Sequence, residues 1–585
     1  MKSLCSLLFC LSLMTLFGQQ FTPITEGTIV NTRSDSRSCN FIDLNGDFLD
    51  DIFISNGPST GENNMLYLNE NGIFRAVTDD PIVQDQGKSD GATFGDVDND
   101  GDLDAFVVTW YGQRNFFYRN NGDNTFTFEA GTATFGGTFS ETAAFGDYDR
   151  DGWLDLYVTN STNFTTNTYA IKRNQLWHNT KDGKFERVAT GEIVLDANIS
   201  RSVQWIDYDQ DGDTDLWVAN EENEPNYLYE NQEGVFMKRT DIGLNNLNRS
   251  STGSSWGDVD NDGDLDLFVA NFSNQRNQLF INNGSEGFQE DFSSVLREES
   301  CSFGSAFADF DNDGDLDLFV TNGFCDGELH NFLYQNDGKG NFTKDENSIP
   351  DLSTNCSFGA AWGDMNGDGY LDLVIANCKG NAAQSPSNTL LRNNGGTNNF
   401  IKFHLEGVQS NRSAIGAIVR VKANIGGADV WQMREISGQS GYNGQNSLTV
   451  HFGLAEVETV DSVLIKWPSG QLDTLTNLAS GEIYSIVETS ISQVVKTSNL
   501  LPIQLQIFPN PITSTQLSYQ IEGNIDLSKE HYLEVLGVDG REKWRTPIVQ
   551  RNDSLSIHHL ASGIYFIRLR QRERSSRLIR FGVQK

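Results

Sequence analysis

The sequence predicts an all-β protein whose first two thirds form a seven-bladed β-propeller. Three observations predict it. First, an acidic phrase recurs with its leading aspartates at Asp43, Asp96, Asp147, Asp207, Asp258, Asp309 and Asp364, separated by 53, 51, 60, 51, 51 and 55 residues. A regular period of that size marks a propeller, solenoid or array. Second, each unit contains roughly four short runs of alternating, aromatic or β-branched residues bounded by Asn, Asp and Gly, which are strand and hairpin signals. Third, no long amphipathic helical pattern intervenes, and seven units of about four strands suit a propeller.

In chain order, residues 1–19 read as a secretory signal, with Lys2, the apolar stretch Leu4–Phe17 and a small Gly18 before Gln19-Gln20. The apolar run is shorter than the ~20 residues a bilayer span needs. An exported chain with no transmembrane span after signal removal is therefore expected. Phe21-Thr22-Pro23-Ile24-Thr25 looks like the strand that follows the Phe of other units, and is expected to help close the ring. Each unit then runs through a small-and-aromatic stretch such as TGSSWGD, an acidic loop, and an apolar run such as LDLFVTN (316–322). A partly alternating stretch with an Asn/Gly turn and a Phe completes it, as at 226–236 and 331–342.

The loops carry the chemistry. In GDVDNDGDLDLFVAN (257–271), Asp258, Asp260, Asp262 and Asp266 alternate with other residues around Gly263, and the carbonyl of Asp264 is a fifth candidate. Carboxylates packed so tightly repel one another unless a cation sits among them. Calcium (Ca2+) takes several oxygen ligands at about 2.3–2.6 Å in flexible geometry, whereas magnesium prefers few carboxylates and retained water. Zinc and copper prefer nitrogen or sulfur. The corresponding candidates are Asp43, Asn45, Asp47 and Asp51; Asp96, Asp98, Asp100, Asp102 and Asp104; Asp147, Asp149, Asp151 and Asp155; and Asp207, Asp209, Asp211, Asp213 and Asp215. The last two copies offer Asp309, Asp311, Asp313, Asp315 and Asp317, then Asp364, Asn366, Asp368 and Asp372. Plain surface turns compete with this reading, since Asp and Asn bond their own backbone. Recurrence in register favours metal. The first copy has Phe48 where the others have Gly, and a Phe at φ > 0 is unfavourable, so that site is expected to be the weakest.

The formal charge of −38 over 585 residues argues against nucleic acid or an anionic membrane as partner. The acidity is uneven, because residues 503–585 hold 12 Lys/Arg against 8 Asp/Glu, which marks a separate C-terminal module. Export permits disulfides. Cys301 and Cys356 each precede the first Asp of a repeat by eight residues, and Cys325 and Cys378 follow its last Asp by eight and six. If each loop joins antiparallel strands, the pairs Cys301–Cys325 and Cys356–Cys378 close the open ends of two hairpins, leaving Cys39 over. Catalytic constellations are not evident: the seven His are scattered, without HExxH or a nucleophile elbow. Trp110, Trp177, Trp217 and Trp256 read as packing between strands in preference to a sugar platform.

These repeats resemble the FG-GAP/VCBS family, whose integrin α-like members form seven-bladed propellers with calcium held in D-x-[DN]-x-D-G-x-x-D loops; the likeness spans 21–395. The phrases SNRSAIGAIVRV (410–421), REISGQSGYNGQNSLTVHFGL (434–454) and VDSVLIKWPSGQLDTL (460–475) resemble the ASPIC/UnbV domain and place it at 399–488. That module order is similar to the cartilage acidic protein-like family. After a linker at 491–502, QIFPNP (506–511), LEVLGVDGRE (533–542) and LASGIYFIRLR (560–570) resemble a type A C-terminal sorting domain, an Ig-like β-sandwich over 503–585. The resemblance implies export by the type IX secretion machinery of Bacteroidota. The expected function is binding of a glycan or protein at the outer surface or outside the cell. The rivals are a polysaccharide-active enzyme with catalytic groups in the central channel, and a structural component of a surface layer.

Overall fold

The computed structural model describes residues 19–584, apart from 135–138, 163–172, 245–247, 326–329, 350–355, 381–382, 490–492, 497–502 and, in the last module, 509, 511, 514, 524, 526, 528, 530, 538–540, 572–573 and 577–578. The expected signal segment, most of the expected linker, and Pro509 and Pro511 of QIFPNP lie outside the described residues. The chain is all-β, and helix among the described residues is confined to short turns such as Thr28–Asn31 and Glu192–Leu195. No helix among the described residues is long and apolar enough to cross a membrane.

The repeats form seven antiparallel sheets of four strands in meander order. In sheet one the strands are Ser36–Ile42, Asp51–Asn56, Met65–Asn69 and Phe74–Ala76. The first strands of sheets two to seven are Ser89–Gly95, Ser140–Gly146, Ser200–Ile206, Ser251–Gly257, Ser302–Ala308 and Ser357–Gly363. Sheet seven obtains its fourth strand from the N-terminal segment: Phe21–Pro23 pairs with Thr389–Asn393. The N-terminal strand thus completes the sheet of repeat seven.

Why the sheets associate is legible in their second strands. Asp266–Asn271 (DLFVAN) is buried at every position, as is Asp372–Asn377 (DLVIAN). A strand apolar on both faces needs a neighbour on each. Accordingly the apolar cores lie between consecutive sheets: Phe53 with Phe94, Tyr157 with Trp205, Trp217 with Phe280, Phe268 with Leu318, and Phe319 with Trp362. Phe41 and Ile52 of sheet one share a core with Val374 and Leu390 of sheet seven. First strands touch in the same cyclic order, including that of sheet seven against that of sheet one. They are built from small residues, as in SFGAAWG, which permits close convergence.

The second domain pairs two four-stranded sheets. One contains Asn399–Glu406, Val450–Ala455, Glu482–Val487 and Gln493–Lys496; the other contains Ile418–Ile425, Ala428–Glu435, Thr459–Lys466 and Leu472–Ala479. The linker expected at 491–502 therefore begins later than the sequence suggests. Its QVVK portion carries enough β-branched character to add a strand beside Tyr484–Val487. The described residues of 503–584 form two further sheets around a separate core that includes Leu533, Ile567 and Phe581.

Both expected disulfides are present. Cys301–Cys325 and Cys356–Cys378 have Cα atoms 6.0 and 5.1 Å apart, and Cys39 is free and buried. Trp177 and Trp217 are buried between strands as expected, while Trp110 is half-buried and its indole N–H donates to Glu141 Oε1 at 2.6 Å.

Candidate metal centres and the domain seam

Each acidic loop joins the first and second strands of one sheet, and two of its nine positions take left-handed backbone in every copy. Position six does so at Phe48 (φ 69°), Gly101, Gly152, Gly212, Gly263, Gly314 and Gly369. Position four does so at Gly46, Asn99, Arg150, Gln210, Asn261, Asn312 and Gly367. The double reversal turns backbone N–H groups inward. In sheet two, the N–H of Asp100 donates to Asp96 Oδ1 at 3.1 Å and that of Gly101 to Asp96 Oδ2 at 2.8 Å. Loop six repeats this with Asp313, Gly314 and Asp309 at 3.1 and 3.0 Å. Phe48 makes the corresponding bond to Asp43 Oδ2 at 2.9 Å, so loop one keeps the turn and bears the strain that a side chain adds there.

This curling gathers the expected ligands. One carboxylate oxygen from each of Asp96, Asp98 and Asp104 lies within 4.8 Å of the others, and the same holds for Asp207, Asp209 and Asp215. Asp147 with Asp149 and Asp151, and Asp258 with Asp260 and Asp262, cluster alike. The position-seven side chains go elsewhere. Asp213 pairs with Arg150 at 2.8 Å, Asp264 accepts from Gln210 at 2.8 Å, and Asp315 accepts from Asn261 at 3.0 Å. Those aspartates thus have only their carbonyls to offer their own loops.

The electrostatics are unfavourable for bare carboxylates. Burial pushes Asp96 up to about 7 and Asp215 up to about 10, and burial with neighbouring Asp311 takes Asp313 to about 7. Three deeply placed oxygens, Asp98 Oδ1, Asp215 Oδ2 and Asp317 Oδ2, have no hydrogen-bond partner among the described residues. Unpartnered buried carboxylate oxygens in an all-oxygen donor set fit a hard cation.

Protein cations share the neutralisation, which sequence reasoning missed. Lys402 Nζ meets Asp364 Oδ2 at 2.7 Å and Lys466 Nζ meets Asp207 Oδ2 at 2.8 Å. Burial alone would raise Asp364, but Lys402 together with the Gly369 N–H holds that carboxyl below its ordinary value. Arg119 lies 3.0 Å from Asp98 and 2.9 Å from Asp104, and His178 Nδ1 lies 3.1 Å from Asp155. No local pattern announces Lys402 or Lys466, since both sit in strands of the second domain.

A second missed set is the Asn near the end of every third strand: Asn69, Asn120, Asn179, Asn231, Asn282, Asn336 and Asn393. Its backbone N–H donates to the position-nine carboxylate, as from Asn336 to Asp317 at 2.9 Å. In sheet six its side chain bridges Leu316 O at 3.1 Å and Val259 O, in the preceding sheet's loop, at 2.7 Å. Its signal was present as a recurring Asn in LYLN, LYEN and LYQN.

The second domain sits on the loops and sends one segment, residues 437–448, into the middle of the sheets. Gly444–Gln445 pairs in parallel with Cys39–Asn40 of sheet one. Gln445 bonds both the N–H and the carbonyl of Phe94, at 2.9 and 3.0 Å. Thr142 donates to Asn443 at 3.1 Å, Ser255 to Ser440 O at 3.3 Å, and Trp362 N–H to Asn446 at 3.0 Å. A Cβ on Gly441 would overlap the carbonyl of Ser305, and one on Gly444 that of Ala360. The glycines of SGQSGYNG thus follow from close backbone approach. At the far end Tyr442 donates its hydroxyl to Glu141 or Asp90, at 3.1 and 3.2 Å, and Arg201 pairs with Glu141 at 2.6 Å. The apolar core between sheets two and three runs on without a break into Phe403, Val419, Phe452 and Ile465 of the second domain.

Repeated acidic loops under a β-domain define a class. The chain belongs to the FG-GAP-like repeat family, which matches residues 43–107, 96–158, 164–218, 207–269, 258–320 and 309–375, and it carries an ASPIC and UnbV domain at 407–493. It is similar to cartilage acidic protein 1 of Xenopus tropicalis, 25% identical over 492 residues that span 76% of this chain and 72% of the relative. Human cartilage acidic protein 1 is 28% identical over 290 residues, 47% of this chain and 42% of the human protein. Among solved structures, a Lactobacillus plantarum protein superposes with a TM-score of 0.37 at 9% identity, covering 54% of this chain and 86% of its own.

Proposed function

We propose that this chain is an extracellular, calcium-stabilised seven-bladed propeller that binds a glycan or protein ligand. The observation that carries the calcium reading is the pair of partnerless buried oxygens on Asp98 and Asp215, each inside a cluster of three carboxylates, with a like oxygen on Asp317 at the same position of loop six as Asp215 in loop four. Position one, three, five and nine side chains would hold the ion, with position-seven carbonyls beside them. Calcium supplies positive charge there, and the chain's own contribution is to fix the oxygens through left-handed turns and the third-strand Asn. The cyclic packing of seven sheets supports the propeller, and two disulfides support an oxidising, extracellular setting. Residues 503–584, with their own core, are read as an Ig-like sorting module for type IX export.

The rival reading, a polysaccharide-active enzyme working in the central channel, draws less support because residues 437–448 occupy that axis. Ligand binding is accordingly assigned to the described connections between second and third strands, 57–64, 110–115, 221–226 and 272–277, at the strand ends opposite the acidic loops.

Exhaustive chelation followed by a thermal melt tests the calcium reading. Binding to the folded form alone stabilises it by ~2.7 kcal/mol per site at a hundredfold excess of ion over its dissociation constant. A marked fall in Tm on chelation, restored by calcium and not by magnesium, is the expected result. An unchanged melt with no calcium in elemental analysis of the purified chain sinks the reading.

A further inference from the structure

Position four of the acidic loops carries a role that the ligand pattern does not explain. Its side chain leaves its own loop and grips the next one. Asn99 donates to Gly152 O at 3.0 Å, linking loop two to loop three. Arg150 donates to Gly212 O at 3.3 Å and pairs with Asp213, linking three to four. Gln210 donates to Gly263 O and Asp264, linking four to five. Asn261 donates to Asp315 at 3.0 Å, linking five to six, and Asn312 to Gly369 O at 3.1 Å, linking six to seven. The atoms gripped belong to positions six and seven, which set where the fifth carboxylate and the seventh carbonyl point. In loops seven and one, position four is Gly367 and Gly46, which have no side chain to extend. The relay therefore runs from loop two to loop seven and stops.

We propose that calcium binds loops two to seven cooperatively, each filled loop holding the next in its binding shape, while loop one binds independently. The proposal rests on the calcium reading above. A metal fixes the left-handed turn at position four, and that turn aims the side chain at the neighbouring loop. The neighbour then has less backbone freedom to lose on binding, which is positive coupling without any ligand shared between sites. Reciprocity requires that filling the later loop tighten the earlier one by the same factor.

Calcium titration of the chelated full-length chain, followed by calorimetry and by terbium luminescence, tests this. Asn261→Gly and Gln210→Gly remove the grip and keep the left-handed backbone, as Gly46 and Gly367 already do in their own loops. Neither residue is a ligand, and circular dichroism checks that each variant folds. The expected result is a wild-type Hill coefficient above 1 and, in both variants, an unchanged ion count with a Hill coefficient closer to 1. Coupling of about fivefold or more per link is the scale on which such effects are measured. Wild-type binding without cooperativity, or variants that keep the wild-type coefficient, overturns the coupling and leaves the calcium reading standing. Absence of any calcium binding removes both.

Discussion

Asn336 illustrates how one side chain serves three structural demands. Its N–H donates to Asp317 Oδ1, and its amide joins Leu316 O to Val259 O across two sheets. Truncating it takes the amide donor from the buried Leu316 O, while Val259 O keeps the Gly340 N–H at 3.1 Å. Asn336→Ala is therefore expected to lower stability by about 1–3 kcal/mol, read as a shift in urea midpoint at constant m-value. A loss under half a kcal/mol would show that water replaces the amide. Phe48 is the opposite case. Its left-handed φ of 69° was foreseeable from the motif as a conflict, and the structure shows the turn preserved with the Phe48 ring edge-on to His404 of the second domain, centroids 5.3 Å apart. A partner remote in sequence accompanies a local misfit, which a single-sequence reading has no means to see.

At the scale of elements, the inserted segment 437–448 ties sheets to domain through backbone contacts, and its tip introduces a pH dependence. Asp90 is pushed up to about 8, first by burial and then by the adjacent Glu141, with Arg37 and Arg201 opposing. A carboxyl raised in the folded state favours folding while it stays protonated. Its contribution is present below the unfolded value of about 4 and is lost as pH rises through about 8. Asp90→Asn keeps the size of the side chain and cannot ionise. The variant is expected to gain on wild type progressively between about pH 4 and pH 8 and to gain no more above that, measured as the difference in Tm at fixed calcium. Parallel Tm profiles would assign the pH response to other groups. The acidic loops were legible as elements because their pattern is local. The insertion was not: SGQSGYNGQN reads as a turn-rich stretch of the second domain, and nothing in its letters says that it threads between sheets formed three hundred residues earlier.

For the whole molecule, the cores dictate how it comes apart. The apolar core of sheets two and three continues into the second domain, so these two parts share one cooperative unit. Residues 503–584 keep their own core and touch the rest through a small cluster of Val487, Leu536 and Phe566 beside Val408. Differential scanning calorimetry is expected to show two transitions. The larger should contain the repeats and the second domain together and shift with calcium; the smaller should disappear on removal of 503–585. A separate transition for residues 399–488 would contradict the shared core.

The repeats, their period, the strand order within each unit, the acidic positions and both disulfides were determined by the sequence alone, because each follows from chemistry repeated at short range. Tertiary structure decided the rest: which cations reach the loops, where position-four side chains go, and what fills the space between the first strands. Those depend on residues hundreds of positions apart being brought together by burial of apolar surface. Burial constrains polar partners only after the chain has folded.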